Sequence, residues 1–296
     1  MHLIRAATLT VSSLADANDY CEWLDYKIVE HGNIGTGLAE SWEAPHTSAL
    51  PYCVLQPASG EPVFIRMIEQ PPHPDYRPLR SFGWAAIEIC TQDTDIVCDR
   101  MKKSPFEIIG PPKVLDGMPA IYPMQVKGRN HEVVYLTQIR DDMAEYDLPR
   151  AKSLIDRLFI LVLACPDIEK EGRWLEKHMA LSKGRTLAIN YTMINQAFEL
   201  PDGTQHELAT LTHERDVFIE IDQYPKDAIT RPSHKGFLPP CVAIGSFIHP
   251  DFSNLEDVNK DHWVSPPARR DGIIYQGKRT GVLRSPGGTL FEVIEA

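Results

Sequence analysis

The feature that most constrains this chain is a fourfold recurrence: a β-rich run, a capped helix and three further β-rich runs follow one another four times. The first copy opens at 5–11 and turns at Ser13-Leu14-Ala15-Asp16, where Ser13 can cap a helix carrying Leu14, Ala17, Cys21 and Leu24 on one face. It continues in short runs at 26–30, 52–56 and 63–68, each bounded by Gly, Pro or Asn. The order recurs at 83–89, with a helix over 93–102 and strands at 106–109, 121–127 and 133–139. A third copy starts at 157–164 with a helix over 167–181, is ambiguous over 187–200, and ends with 206–212 and 217–222. The fourth begins at 242–248, has a short helix near 254–259, and finishes with 279–284 and 289–295.

The strand-to-helix corners are alike, with Ser13, Asp93, Asp167 and Asp251 each set where a polar side chain can cap the next helix. A repeat of this kind predicts an α+β protein of four βαβββ modules, paired into two domains of curved, cup-forming mixed sheets with helices outside. The length of 296 residues suits two domains. Proline-rich stretches at 71–74 and 232–240 separate copies, and 146–152 lies between the halves. The expected domains are 1–147, with modules 1–70 and 80–145, and 153–296, with modules 153–225 and 236–296.

Lys plus Arg number 30 against 41 Asp plus Glu, a net charge of −11, so the chain has no general electrostatic footprint for nucleic acid or acidic lipid. The longest apolar run, 158–164, is far below the ~20 residues that a bilayer core demands of a helix and reads as a buried strand. The start, Met1-His2-Leu3-Ile4-Arg5, shows no export signal, and the six scattered cysteines have no C-x-x-C spacing. Buried thiols and a cytoplasmic location are the expectation.

The first strand and helix, Ala6-Ala7-Thr8-Leu9-Thr10-Val11 through Trp23-Leu24-Asp25-Tyr26, resemble the opening of a glyoxalase or bleomycin-resistance module. The ending, Ser285-Pro286-Gly287-Gly288-Thr289-Leu290-Phe291-Glu292-Val293, resembles the last hairpin of the same vicinal oxygen chelate superfamily. The likeness covers nearly the whole chain as four modules, an arrangement also seen in extradiol dioxygenases. It implies that paired modules form cups, with a divalent metal (Fe, Mn or Zn) held by His on first strands and Glu on last strands.

Tested strand by strand, that signature is degenerate. The inward positions of the first strands by alternation are Ala6, Thr8 and Thr10; Trp84, Ala86 and Glu88; Leu158, Ile160 and Val162; Val242, Ile244 and Ser246, with no histidine among them. On the last strands the position of Glu292 is taken by Ile65, Tyr135 and Ile219, and a shift of one residue would put Glu220 there instead. The resemblance leaves Glu292 as a metal ligand without its His partners. Further ligands would have to come from unexpected strands such as those carrying His131, His213 or His249.

Glu88 is the leading catalytic candidate, since a carboxylate desolvated inside a cup can act as a general base; a partner at a module interface is the plainer reading. Tyr135 can donate to a substrate oxygen where the family has a metal ligand, or be an ordinary core tyrosine. Trp84, Tyr122, His131 and Phe291 are candidate substrate-binding residues, with Trp42 and Phe82 further aromatics near the cups. The resemblance implies an enzyme acting on a small oxygenated metabolite, aromatic-derived or carbonyl, by lyase, isomerase or dioxygenase-like chemistry. The alternative is a non-catalytic binding protein that sequesters a small molecule on the same scaffold. A homodimer is compatible with either.

Overall fold

The computed structural model describes residues 3–296, so Met1 and His2 of the start lie outside the described residues. Module 1 comprises β1 (Ile4–Val11), α1 (Ala17–Trp23), β2 (Tyr26–Asn33), α2 (Thr36–Ser41), β3 (Pro51–Pro57) and β4 (Phe64–Glu69). Module 2 comprises β5 (Gly83–Thr91), α3 (Thr94–Met101), β6 (Glu107–Gly110), β7 (Ile121–Lys127) and β8 (Val133–Ile139). Module 3 comprises β9 (Ile155–Cys165), α4 (Ile168–His178), β10 (Ser182–Ile189), α5 (Thr192–Ala197), β11 (His206–His213) and β12 (Asp216–Gln223). Module 4 comprises β13 (Cys241–His249), α6 (Phe252–Val258), β14 (Ser265–Arg269), β15 (Arg279–Arg284) and β16 (Leu290–Glu295). The fourfold βαβββ order is therefore present, and the ambiguous stretch of module 3 resolves into β10 and α5.

Three of the four corners make the expected cap bond, Ser13 at the short 3-10 turn Leu14–Asp16 that leads into α1. Ser13 Oγ accepts from Ala15 N at 3.2 Å, Asp93 Oδ1 from Asp95 N and Ile96 N at 3.0 Å, and Asp167 Oδ1 from Lys170 N at 2.9 Å. Asp251 differs: its side chain makes no cap bond, and its own N–H donates to His249 Nδ1 at 3.2 Å. The last hairpins repeat too, each turning through a left-handed residue: Gly60, His131, Glu214 and Gly288, at φ of 83°, 67°, 56° and 87°. His131 is thus a turn residue that bears the cost a glycine would avoid.

The sheets are two, in the orders β14-β15-β16-β13-β1-β4-β3-β2 and β10-β11-β12-β9-β5-β8-β7-β6. Module 1 therefore pairs with module 4, and module 2 with module 3. This corrects the expectation of two halves, 1–147 and 153–296, each pairing its own modules. The first strands meet antiparallel at each sheet's centre, β1 with β13 and β5 with β9, and each runs parallel to the last strand of its own module.

One apolar core joins the backs of both sheets, bringing Ala7 and Leu9 together with Ile87, Leu161, Leu163 and Phe247. Helices α1, α3, α4 and α6 contribute Tyr20, Val97, Leu175 and Leu255 to it. Central strands buried on both faces read as near-continuous apolar runs, as in Leu158 to Ala164. The opposite faces carry separate clusters, one holding Ala86, Tyr135, Ile160 and Val162 and another holding Ile68, Ile244 and Val282. These line the two cups.

Register irregularities in the central strands change which side chains enter. The β5–β9 ladder shifts between Trp84 and Ala86, so Trp84 joins Ile87 and Ile89 in the shared core while Ala86 faces the cup. The β1–β13 ladder shifts between Thr8 and Leu9 and sends Val242 to the same core. Leu158 likewise lies there and not in the cup.

Candidate functional site

The cup of modules 2 and 3 encloses a cavity of ≈ 170 Å³ with apolar walls that include Phe159, Ile160, Met193 and Leu208. A cavity of about 150 Å³ holds one benzene ring, so this volume suits a single ring-sized molecule. Glu88, Tyr135, Tyr191 and Glu220 supply polar groups to it. β5 delivers Glu88 beside Tyr135, its register partner on parallel β8. From β12, Glu220 and Asp222 project to one side by the two-residue alternation of a strand.

Three carboxyl groups are therefore buried together. Glu88 Oε1 accepts from Thr137 Oγ1 at 2.6 Å, and Glu220 Oε1 accepts from the Tyr191 hydroxyl at 2.8 Å. Asp222 is fully buried, and neither of its oxygens receives a hydrogen bond from a neutral donor. Its neighbour is Glu220, and two carboxyls in contact hydrogen-bond only when one keeps its proton.

Burial first, and the charge of Glu220 second, push Glu88 up to about 8, with Thr137 opposing. Burial also raises Glu220 and lifts Asp222 well above the carboxylate range, the latter aided by Glu220 and Glu88. Like charges in low dielectric cannot all ionise, so the trio holds protons near neutral pH. Tyr135 is 4% exposed, and its hydroxyl makes no hydrogen bond to the protein among the described residues; burial holds its pKa well above the usual phenol value.

The cup of modules 1 and 4 is built differently. Arg66 of β4 lies at its floor, 2% exposed, and donates through Nε and Nη2 to Thr8 Oγ1 at 3.0 and 2.8 Å and through Nη1 to the Tyr275 hydroxyl at 2.7 Å. Its Nη2 also lies 3.4 Å from Glu292 Oε2. Glu292 accepts further from Trp42 Nε1 and the Tyr275 hydroxyl at 2.8 Å and from Ser246 Oγ at 2.5 Å. Arg66 additionally stacks over the Trp42 ring, 4.7 Å from its centroid.

The donor sets bear directly on a metal. Glu292, the ligand expected from the resemblance, has a guanidinium for its cation, which leaves no place for a divalent ion beside it. Among the described residues no three His, Cys, Asp or Glu side chains converge as a ligand group. The residues present do not fit a resident metal.

The remaining sequence candidates separate. Trp84 packs at a tilt against Phe291 and Phe247 between the sheets, at centroid distances of 4.7 and 6.0 Å, and donates from Nε1 to Leu290 O at 3.0 Å. Phe291 has the opposite parity to Glu292 and belongs to the shared core. Tyr122 lies against α3, its hydroxyl donating to Asp95 at 2.9 Å beneath the Arg140 guanidinium. His131 is exposed in its turn, 6.5 Å from the Tyr76 ring. Trp84, Tyr122, His131 and Phe291 thus lie outside the cavity that holds Glu88 and Tyr135.

Sequence reasoning missed Asp222, Tyr191, Arg66 and Tyr275. The alternation Phe218-Ile219-Glu220-Ile221-Asp222, with two carboxylates on one face of an apolar strand, was the available signal for the first. The lone cation of Phe64-Ile65-Arg66-Met67-Ile68 was the signal for Arg66.

No protein-family model matches the chain. No curated protein matches it either. Solved structures do: four βαβββ modules in two eight-stranded mixed sheets, with cups on their open faces, make the vicinal oxygen chelate fold. Glyoxalase I from Zea mays superposes with a TM-score of 0.64 over 99% of this chain and 92% of its own, at 14% identity. A putative dioxygenase from Bacillus subtilis subsp. subtilis str. 168 superposes with a TM-score of 0.61 over 99% of this chain and 85% of its own, at 12% identity. Among the described residues no helix is long and apolar enough to cross a membrane.

Proposed function

We propose that this protein is an enzyme whose working site is the cup of modules 2 and 3, where a small oxygenated, carbonyl-bearing metabolite undergoes proton transfer of the isomerase or lyase kind. The observation that carries the reading is a group of buried carboxyls, Glu88 and Glu220 lining a ring-sized, largely apolar cavity and Asp222 beside Glu220. A carboxyl at about 8 is ionised to roughly a tenth at pH 7, and a base with its pKa near the working pH is what general base catalysis favours.

In the step itself, the Glu88 carboxylate takes a proton from carbon next to the carbonyl. The C–H electron pair moves into the C=C bond of an enolate, and the charge that develops on oxygen is met by the Tyr135 hydroxyl. The carboxylic acid so formed returns the proton to the same or a neighbouring carbon. Asp222, keeping its proton beside Glu220, limits the negative charge that Glu88 must face. A cytoplasmic setting and a homodimer belong to the same proposal. Its structural neighbours include an enzyme, glyoxalase I, which favours catalysis over sequestration.

The test is deuterium incorporation next to the carbonyl, followed by NMR in D₂O with a panel of ring ketones and keto acids. The expected result is exchange that falls by about 10²-fold or more in Glu88→Gln and is unchanged in Glu292→Gln. Binding of the same panel with no exchange in the wild type would replace the enzyme with a sequestering protein.

A further inference from the structure

We infer that the cup of modules 2 and 3 takes an uncharged ring ketone and turns away ligands that carry a carboxylate. This rests on the proton-transfer reading only in using the same cup. The first observation is the charge of the lining. Glu88 and Glu220 face the cavity, Asp222 lies behind Glu220, and the single base among the described lining residues is Lys113. Lys113 lies at the rim, largely exposed, with its Nζ 3.7 Å from Asp116 Oδ2, another lining residue. Among the described residues no guanidinium, imidazole or ammonium reaches the floor. A carboxylate that entered would leave its hydration shell to meet acidic groups with no counter-charge, which is costly in a low-dielectric site.

The second, independent observation is Tyr135. It lines the cavity, is more than nine-tenths buried, and leaves its hydroxyl without a protein partner. A buried hydroxyl of this kind calls for an acceptor from the ligand. Of the two lining glutamates, Glu88 Oε1 accepts from Thr137 and Glu220 Oε1 from Tyr191, so the Tyr135 hydroxyl stands out as a donor with no protein acceptor. A carbonyl oxygen on a ring-sized apolar body matches that offer, with the ring against Phe159, Ile160 and Leu208.

The experiment is calorimetric titration of the full chain at pH 7 with four probes of one size: acetophenone, benzoate, benzylamine and ethylbenzene. Acetophenone is expected to bind at least about tenfold more tightly than benzoate. Tyr135→Phe is expected to weaken acetophenone by about tenfold and leave ethylbenzene unchanged, which a general loss of packing would not do. Benzoate binding as tightly as acetophenone overturns the inference. Benzylamine binding most tightly overturns it in favour of a cation site, and failure of acetophenone to bind also overturns it. The two readings fail separately: selective acetophenone binding without deuterium exchange removes the proton-transfer chemistry alone, and exchange confined to keto acids removes the charge selection alone.

Discussion

Arg66 donates to Glu292 across the floor of the module 1 and 4 cup, 3.4 Å from nitrogen to oxygen, with both side chains buried. They come from β4 and β16, which flank the central strands β1 and β13 on either side. The cup thus carries its own cation, fixed by Thr8 and Tyr275 and packed against Trp42. Replacing Arg66 by Met strands a buried carboxylate, and a loss of ~3–5 kcal/mol is expected in urea unfolding. The double variant Arg66→Met, Glu292→Gln should recover much of it, because the uncompensated charge is gone; equal losses in single and double variants would show that the pair does not hold the floor.

The pH dependence of the exchange reaction should follow Glu88. Burial and Glu220 place this group at about 8, and the base must be ionised to accept a proton. The rate is therefore expected to rise about tenfold per unit from pH 6 and level off above about 8. A flat profile over that interval would remove Glu88 from the chemistry.

Stability should move the other way. Glu88 titrates higher when folded than its ordinary value of 4.5, so the folded state binds more protons between those limits. Its contribution is then full below pH 4.5 and lost as pH rises through about 8. Between pH 6.5 and 8.5, above the range in which His249, depressed to about 4 by burial, takes up a proton on unfolding, the wild-type Tm is expected to fall. Glu88→Gln should flatten that slope. Thermal scans across the interval decide it, and an unchanged slope in the variant would place the effect elsewhere, with Glu132, raised to about 7 by burial, the next group to replace.

The helix corners offer a paired comparison. Asp93 accepts from two backbone N–H groups at the start of α3, whereas Asp251 caps nothing. Asp93→Ala is expected to cost ~1 kcal/mol and Asp251→Ala less than about 0.5 kcal/mol, read from denaturant midpoints. Equal costs would mean that the cap bond is not what stabilises the corner.

Trp84 tests the register shift. Set between the sheets, with its indole N–H on Leu290 O, it should lose about 1 kcal/mol of stability as Trp84→Phe and leave acetophenone affinity unaltered. A change in affinity larger than about threefold would put Trp84 back in the cavity.

The scaffold was legible because period-two runs recur in all four modules, capped corners in three of them and glycine turns in the first and the last. Glu88 and Tyr135 were legible for the same reason, as alternation on β5 and β8 set their face. Trp84 was misplaced because an irregularity at Ala85 reverses the parity within the same strand, and nothing in Gly83-Trp84-Ala85-Ala86 marks it. Glu220 could be assigned only once the ladder with β9 fixed its register beside Val162. Arg66 was passed over because its partner Glu292 lies 226 residues away, and no local pattern pairs positions so distant. The choice of which modules share a sheet is a tertiary matter, decided by how the backs of all four first strands pack together.

That choice governs how the chain can be assembled and cut. Strands β5 to β12 are contiguous and can close their sheet on their own sequence, but β1 finds its antiparallel neighbour only when β13 has been made. During synthesis module 1 must wait, its strand edge open, until nearly the whole polypeptide has emerged, and such long loop closures slow folding. Severing the chain near residue 150 would accordingly yield no pair of self-sufficient fragments, since each piece would leave with half of both sheets.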